Sequence, residues 1–273
     1  MAGVRVATGF ISSRKNPTQI NTANLRRTEA LAEQLKLPVL EEPVSFNSQS
    51  SLPPEQQSFD FLLHYVDQTL HLHTMSGSQQ SICVDFSDAS FLWRQKQALA
   101  AESVVKAVGG KKALHLNIVD ATAGLGQDSF ILALFGFNLH LIEGSPVVHA
   151  LLADGLRRAK ESDQATLLTA ASRIKLTLGD SRVLLPQLDE VDVIYLDPMF
   201  PERNKSAKVK KNMQVLQKLL VQEEEPAGLL KTCLLKARRR VVVKRPRHAG
   251  WLDDCKPSLE ITGKSSRFDI YLC

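Results

Sequence analysis

The second half of this 273-residue chain predicts an open α/β fold, a mostly parallel sheet with helices on both faces. Three observations carry that expectation. From Asn117 onward, short apolar runs alternate with segments of helical period. The first of these runs, NIVD (117–120), closes on an acid and passes into a loop of small residues, ATAGLG (121–126). Two final strands, SLEIT (258–262) and RFDIYLC (267–273), stand too close together to hold a helix between them, so they pair as an antiparallel hairpin.

Taken in order, GVRVAT (3–8) reads as a strand and NLRRTEALAEQLK (24–36) as a helix with Asn24 placed to cap it. FLLHYV (61–66), TLHLHTM (69–75) and SICVDF (81–86) read as a small antiparallel meander, turned at Asp67-Gln68 and at SGSQQ (76–80). These elements predict a small α/β module over residues 1–85 and a larger domain over 86–273. FLWRQKQALAAESVVKAVGG (91–110) reads as a helix that ends at its glycines. Beyond the first strand and its loop, DSFILALFGF (128–137) is helical until Gly136, and LHLIE (139–143) is a second strand. Ser145-Pro146 starts the next helix, with Ser as the cap and Pro at the first helical position. IKLTLGD (174–180), VDVIYLD (191–197) and RRVVVKR (239–245) continue the series of strands. The closing hairpin distinguishes the class I methyltransferase variant of this seven-stranded architecture from the dinucleotide-binding one.

Composition narrows the class of protein. Hydrophobic residues make up 44% and charged residues 23% of the chain, as in an ordinary globular protein. The N-terminus has no apolar signal-peptide core, and no apolar run is long enough to span a membrane, so a cytoplasmic protein is expected. Cys83, Cys233, Cys255 and Cys273 lie far apart with no C-x-x-C pair; reduced thiols are expected, and no metal site. The net charge of +5 is uneven: residues 203–247 hold 14 basic against 3 acidic residues, a net of +11, whereas residues 1–110 hold 9 against 10. Such a concentration is the electrostatic footprint of a polyanion partner, although a basic run also serves solubility.

In open parallel sheets, ligands bind at the carboxyl ends of the strands near the reversal of strand order. Asp120 ends the first strand there, and the loop after it needs residues that let a ligand approach the backbone; Gly124 and Gly126 meet that need. The spacing D-x-T-x-G-x-G resembles the D-x-G-x-G-x-G of methyltransferases, with Thr122 at the first glycine position. A plain tight turn fits the loop alone. Glu143, at the end of the second strand, is placed to accept both ribose hydroxyls of a nucleoside cofactor, and a solvated acid at a strand end is the simpler alternative. Asp128 fits a cofactor contact or a helix cap, and Asp180-Ser181 ends the third strand where a carboxylate can accept from an adenine amino group.

Asp197-Pro198-Met199-Phe200 ends the fourth strand and resembles the D/N-P-P-Y/F motif of enzymes that methylate exocyclic amines on bases. Such an amine is a poor nucleophile because its lone pair is delocalised into the ring. The Asp197 carboxylate and the Pro198 carbonyl are acceptors for its hydrogens, and the Phe200 ring is a surface on which the base can stack. Arg203, Lys205, Lys208, Lys210 and Lys211 follow directly, and Arg245 and Arg247 end the neighbouring strand, which suits a phosphate backbone around a base pocket. The three histidines of the meander, His64, His71 and His73, read as strand packing or surface rather than metal ligands. Neither G-x-S-x-G nor a Walker phosphate loop is present.

VDATAGLGQD, LIEGSPVVHALLADGL, YLDPMFP, KSAKVKK, RRVVVKRP and RFDIY, in that order, resemble the bacterial ribosomal RNA small subunit methyltransferase J family. The resemblance runs from about Val84 to Tyr271 and is looser before that. It implies an S-adenosylmethionine-dependent enzyme that methylates N2 of a guanosine in 16S ribosomal RNA, free or in the small subunit, yielding N2-methylguanosine and S-adenosylhomocysteine. By position it carries cofactor contacts onto Gln127 and Asp128, Glu143 and Gly144, Asp180 and Ser181, and Asp197. Family members often have Arg where Gln127 stands, a basic residue where Gly144 stands, and glycines where this chain reads QALAAES (97–103). Substrate contacts near Arg94 and Lys96 are not carried over. Two further readings follow from the motifs alone: an adenine-N6 methyltransferase of nucleic acid, and a non-catalytic RNA-binding factor of ribosome assembly.

Overall fold

The computed structural model of the chain describes residues 4–9, 22–40, 58–75, 80–88, 99–189, 191–198, 211–220, 228–263 and 266–273. It divides into two compact units, one of Met1–Val84 with Pro201–Glu224 and one of Asp85–Phe200 with Glu225–Cys273.

In the first unit, β1 (Val6–Thr8) is followed by helix α1 (Thr22–Leu35) and by β2 (Phe61–Val66), β3 (Thr69–Thr74) and β4 (Ser81–Ile82), in a sheet of order β1-β2-β3-β4. The expected meander is present: β2 pairs antiparallel with β3 from Phe61↔Thr74 to Val66↔Thr69, and β3 pairs antiparallel with β4. Asp67 adopts the left-handed φ of 48° that a two-residue hairpin requires. β1 joins the other edge in parallel with β2. Helix α1 packs on β1 and β2 and buries Leu31 and Ala32. It begins two residues earlier than the sequence suggests, so Asn24 lies inside its first turn and is not the cap.

The second unit opens with α2 (Ser103–Val108) and β5 (Ile118–Asp120), then α3 (Gln127–Phe135), β6 (Leu139–Glu143), α4 (Pro146–Lys160), α5 (Ala165–Ser172), β7 (Ile174–Leu178), α6 (Ser181–Leu184) and β8 (Val193–Leu196). The next helix, α7 (Lys211–Leu219), belongs to the first unit: its buried Val215, Leu216 and Leu219 form an apolar stripe, and the helix packs against β4. The sequence predicts a single domain over 86–273, whereas the contact of this helix with β4, far away in sequence, groups it with the first unit. The second unit resumes with α8 (Leu229–Lys236), β9 (Arg240–Pro246), β10 (Leu259–Thr262) and β11 (Ser266–Leu272).

Its seven strands lie in the order β10-β11-β9-β8-β5-β6-β7. β5 through β9 run parallel to one another, and β11 is antiparallel to both β9 and β10, as the closing hairpin predicts. This is the class I methyltransferase arrangement. The order reverses between β5 and β8, which makes their carboxyl ends the topological switch point. Val119, Ile142, Ile194, Leu196, Val241 and Val243 of the sheet form one apolar layer with Leu229, Leu230 and Cys233 of α8. Elsewhere in the unit, the ring of Phe86 stacks on that of Phe130 in α3, with centroids 3.8 Å apart.

Two local expectations are corrected. The described part of 91–110 is not one helix: a 3-10 turn at Leu99–Ala101 is separated from α2 by Glu102, whose ψ of 131° is extended. Gly109 does end α2, at φ 119°. Ser145 stands at the cap position of α4, with Pro146 next as expected, but its side chain makes no capping bond. Helix α5, built of small residues with a short apolar side, was not foreseen.

Candidate active site

The site is built on the loop between β5 and α3. Gly124 takes φ 54° and Gly126 φ 70°, both left-handed values that favour glycine. A Cβ on Gly126 would stand 2.6 Å from Leu152 Cδ1 in α4, so this glycine serves close packing of loop on helix. A Cβ on Gly124 would meet nothing nearer than the Thr122 carbonyl oxygen at 4.0 Å, and one on exposed Gly144 nothing nearer than the Gly179 oxygen at 3.9 Å. Gly124 and Gly144 therefore leave open backbone on both sides of one carboxylate. That carboxylate is Glu143: its Oε2 accepts from the Gly124 N–H at 2.7 Å and its Oε1 from the Ser145 N–H at 2.8 Å. A carboxylate oxygen can accept more than one hydrogen bond, so a ribose hydroxyl is a chemically suitable further donor here. Backbone cleared on either side of a carboxylate that is already oriented suits a nucleoside cofactor.

The same loop reaches the end of β8. The Asp197 N–H donates to the Thr122 hydroxyl at 2.6 Å, and the Ala121 N–H to the Tyr195 carbonyl at 3.0 Å. Thr122 at the first glycine position is thus a structural tie between the two strand ends. Glu143 and Asp197 hold the two ends of one short loop, residues 122–124.

Behind that loop lies a polar cluster that the sequence did not reveal as a unit. Asp128 is the second residue of α3 and is not a cap; its Oδ2 accepts from the Tyr195 hydroxyl at 2.6 Å and from Lys244 Nζ at 2.7 Å. Lys244 also reaches Asp197 Oδ2 at 2.8 Å. Burial would depress the Lys244 ammonium, but the two carboxylates outweigh it and raise its pKa above the ordinary value. Burial and then the charge of Asp128 push the buried Tyr195 hydroxyl far above its usual range. Burial raises the Asp197 carboxyl, and Lys244 opposes that shift. Asp120 is buried at the end of β5; its Oδ2 accepts from the Ser129 hydroxyl and its Oδ1 from the Thr122 N–H at 3.1 Å. Burial pushes its carboxyl up to about 7, against the pull of those two hydrogen bonds and with help from the charges of Asp197 and Asp128.

Other expected residues fall differently. Gln127 is exposed at the start of α3. Exposed Asp180 accepts from the N–H and guanidinium of Arg182, the nearest bond at 2.6 Å, which holds its carboxyl below the ordinary range. Buried Ser181 donates to the Ala121 carbonyl at 2.5 Å, so its hydroxyl braces the β5 loop. Pro198 is buried. Arg245 is a correction: it is buried on β9, with Nε donating to the Gly250 carbonyl at 2.9 Å, because strand alternation turns it away from the face that Lys244 occupies. Arg247 is exposed as expected. Phe200, Arg203, Lys205, Lys208 and Lys210, and the side chain of Lys211, lie outside the described residues.

The signal for Lys244 was present: a lysine inside the run VVVKR, one residue past the Leu196↔Val243 pair, must stand beside Asp197 once β8 and β9 align in parallel. A cavity of about 560 Å³ lies at the opposite, amino edge of the sheet, among Asn117, Asn138, His140 and Lys175, and holds none of the motif residues. Among the described residues, no group of three His, Cys, Asp or Glu side chains is arranged to hold a metal ion, and no helix is long and apolar enough to cross a membrane.

Comparison with known proteins matches this geometry. The family model described as a putative SAM-dependent methyltransferase matches residues 46–273. Ribosomal RNA small subunit methyltransferase J of Hahella chejuensis is 40% identical over 242 residues, covering 85% of this chain and 90% of that protein. Its namesake in Thioalkalivibrio sulfidiphilus is 41% identical over 250 residues, covering 90% and 92%. The crystal structure of a SAM-dependent methyltransferase from Neisseria gonorrhoeae superposes with a TM-score of 0.68 at 30% identity, over 98% of this chain and 95% of that one.

Proposed function

The chain belongs to the ribosomal RNA small subunit methyltransferase J family, and from that premise we propose that it methylates the exocyclic N2 of a guanosine in small-subunit ribosomal RNA, using S-adenosylmethionine. The observation that carries this reading is the tie between Thr122 and Asp197, which joins the glycine loop to the strand end that bears the amine-binding motif.

Gly124, Glu143 and Gly144 are the residues that would hold the cofactor: the glycines by leaving backbone open, and the carboxylate by accepting from ribose hydroxyls. Asp180, at the end of the β7 edge, is available to the base, provided it exchanges part of its bonding to Arg182. S-adenosylmethionine would supply, when bound, a methyl carbon activated by its bond to positively charged sulfur.

Asp197 and the Pro198 carbonyl accept from the amine hydrogens and fix the direction of the nitrogen lone pair. Orientation of this kind accounts for about 7–11 kcal/mol of a barrier in favourable cases. Stacking on Phe200 adds about 1–3 kcal/mol to the binding of a base turned out of its helix. The cations from Arg203 to Lys211, together with Arg247, attract the phosphate backbone.

Nucleoside mass spectrometry of small-subunit ribosomal RNA from cells with and without the protein tests the reading. One N2-methylguanosine is expected to disappear without the protein. Loss of an N6-methyladenosine, or no change in any nucleoside, would reject it.

A further inference from the structure

Asp128 and Asp197 stand on different elements, α3 and the end of β8, yet they share one cation. Lys244 Nζ, on β9, lies 2.7 Å from Asp128 Oδ2 and 2.8 Å from Asp197 Oδ2, and the Tyr195 hydroxyl completes the cluster at 2.6 Å from the same Asp128 oxygen. Two carboxylates held this close in a partly buried site resist ionising together, because each charge raises the cost of the other. The Lys244 ammonium between them opposes that cost and favours the ionised form of Asp197.

That matters for the amine. A carboxylate accepts hydrogen bonds with both oxygens, whereas a protonated acid presents a hydrogen and meets an N–H donor badly. Methyl transfer also leaves positive charge on the amine nitrogen, which a net negative neighbour stabilises. We infer that Lys244 is a positioning residue for the reaction: its ammonium, shared between Asp128 and Asp197, holds the Asp197 carboxylate in place and occupies its Oδ2, so that the remaining oxygen is the acceptor for the substrate amine.

The inference rests on the reading of Asp197 as the amine acceptor. Among the described residues, the charged and titratable groups besides Lys244 that act on Asp197 are Asp128 of α3, Tyr195 of β8 and Asp120 of β5. Removal of Lys244 takes away the cation that opposes the upward shift of Asp197, so the Asp197 carboxyl retains a proton to higher pH. Activity that needs the ionised Asp197 carboxylate then appears at higher pH.

The test is single-turnover methylation of small-subunit ribosomal RNA from pH 6 to 9 by wild type, K244M and K244R. S-adenosylmethionine affinity by calorimetry and thermal unfolding are measured on each. K244M is expected to lose roughly tenfold or more in rate at pH 7 and to recover towards wild type near pH 9, its acid limb displaced upward by about one to two pH units. Its affinity for S-adenosylmethionine should stay within about threefold of wild type, and K244R should keep the wild-type limb. A K244M profile parallel to that of wild type, a K244M as active as wild type at pH 7, or a K244R limb displaced like that of K244M would overturn the inference. If K244M does not fold, K244Q takes its place with the same expected displacement. If wild type itself makes no N2-methylguanosine, the functional reading fails instead, which separates the two failures.

Discussion

Asp120 is the residue on which burial acts most visibly. Its carboxyl is pushed up to about 7, and in the unfolded chain it returns to the ordinary value near 4. Between those two values the folded state holds a proton that the unfolded state has lost, so stability falls as pH rises from about 4 to 7 and then levels off. Three units correspond to about 4 kcal/mol. D120N should therefore flatten this decline and be more stable than wild type at pH 8 by about 1–3 kcal/mol, measured by urea unfolding at pH 5 and 8. A D120N protein with the wild-type slope would show that the carboxyl is ionised throughout. Residues such as Glu143 and Asp197 were legible in the sequence because each ends an apolar strand, where a charge needs a reason. Tyr195 and Lys244 were harder to read, because an aromatic or a lysine within a strand is usually explained by packing or by a solvated tip, and it takes the pairing of β8 with β5 and with β9 to bring the two to Asp128.

Among the elements, the hairpin of β2 and β3 carries its own pH dependence. His64 is buried, neither ring nitrogen has a hydrogen-bond partner among the described residues, and its ring lies 5.7 Å from that of His71 and 5.6 Å from that of His73. Burial first, then the charges of His71 and His73, lower its pKa to about 3. The unfolded chain binds a proton there near 6.5, so stability is complete above that pH and is lost as pH falls towards 3, with about 2 kcal/mol gone by pH 5. H64L should lose less stability than wild type between pH 7 and 5, as read by the unfolding of the first unit in urea. An equal loss in both proteins would assign the acid sensitivity elsewhere. At this scale most of the fold was legible: the period of two in TLHLHT, the acid-terminated strands, and Gly109 and Gly136 as helix ends all follow from local chemistry. The break at Glu102 and the start of α1 at Thr22 were not, since helix ends depend on marginal preferences within a single turn.

Across the whole molecule, charge is the property that composition predicts best. The net charge of +5 conceals a net of +11 over residues 203–247, against which a phosphate backbone is the natural counterpart. Arg245 is removed from that surface by burial, and Arg239 is paired with Asp192 at the amino end of β9, so the cations between Arg203 and Lys211 carry more of the expected attraction. Replacing Lys205, Lys208 and Lys210 together with alanine should lower the slope of log affinity for ribosomal RNA against log salt by about 2–3 and leave S-adenosylmethionine affinity unchanged. An unchanged slope would assign the RNA surface to other residues. The grouping of 201–224 with the N-terminal unit was not legible, because it depends on a contact between α7 and β4 far apart in sequence.

The central claim is that Asp197 grips a guanine amine beside a cofactor slot formed by Gly124, Glu143 and Gly144. The most direct measurement incubates small-subunit ribosomal RNA with S-adenosylmethionine labelled at the methyl group and either wild type or D197A, then identifies the labelled nucleoside by mass spectrometry while calorimetry follows cofactor binding. Label is predicted in N2-methylguanosine with wild type, with a loss of roughly 100-fold or more in D197A that still binds S-adenosylmethionine. Label in N6-methyladenosine, or a D197A protein that methylates at the wild-type rate, would contradict it.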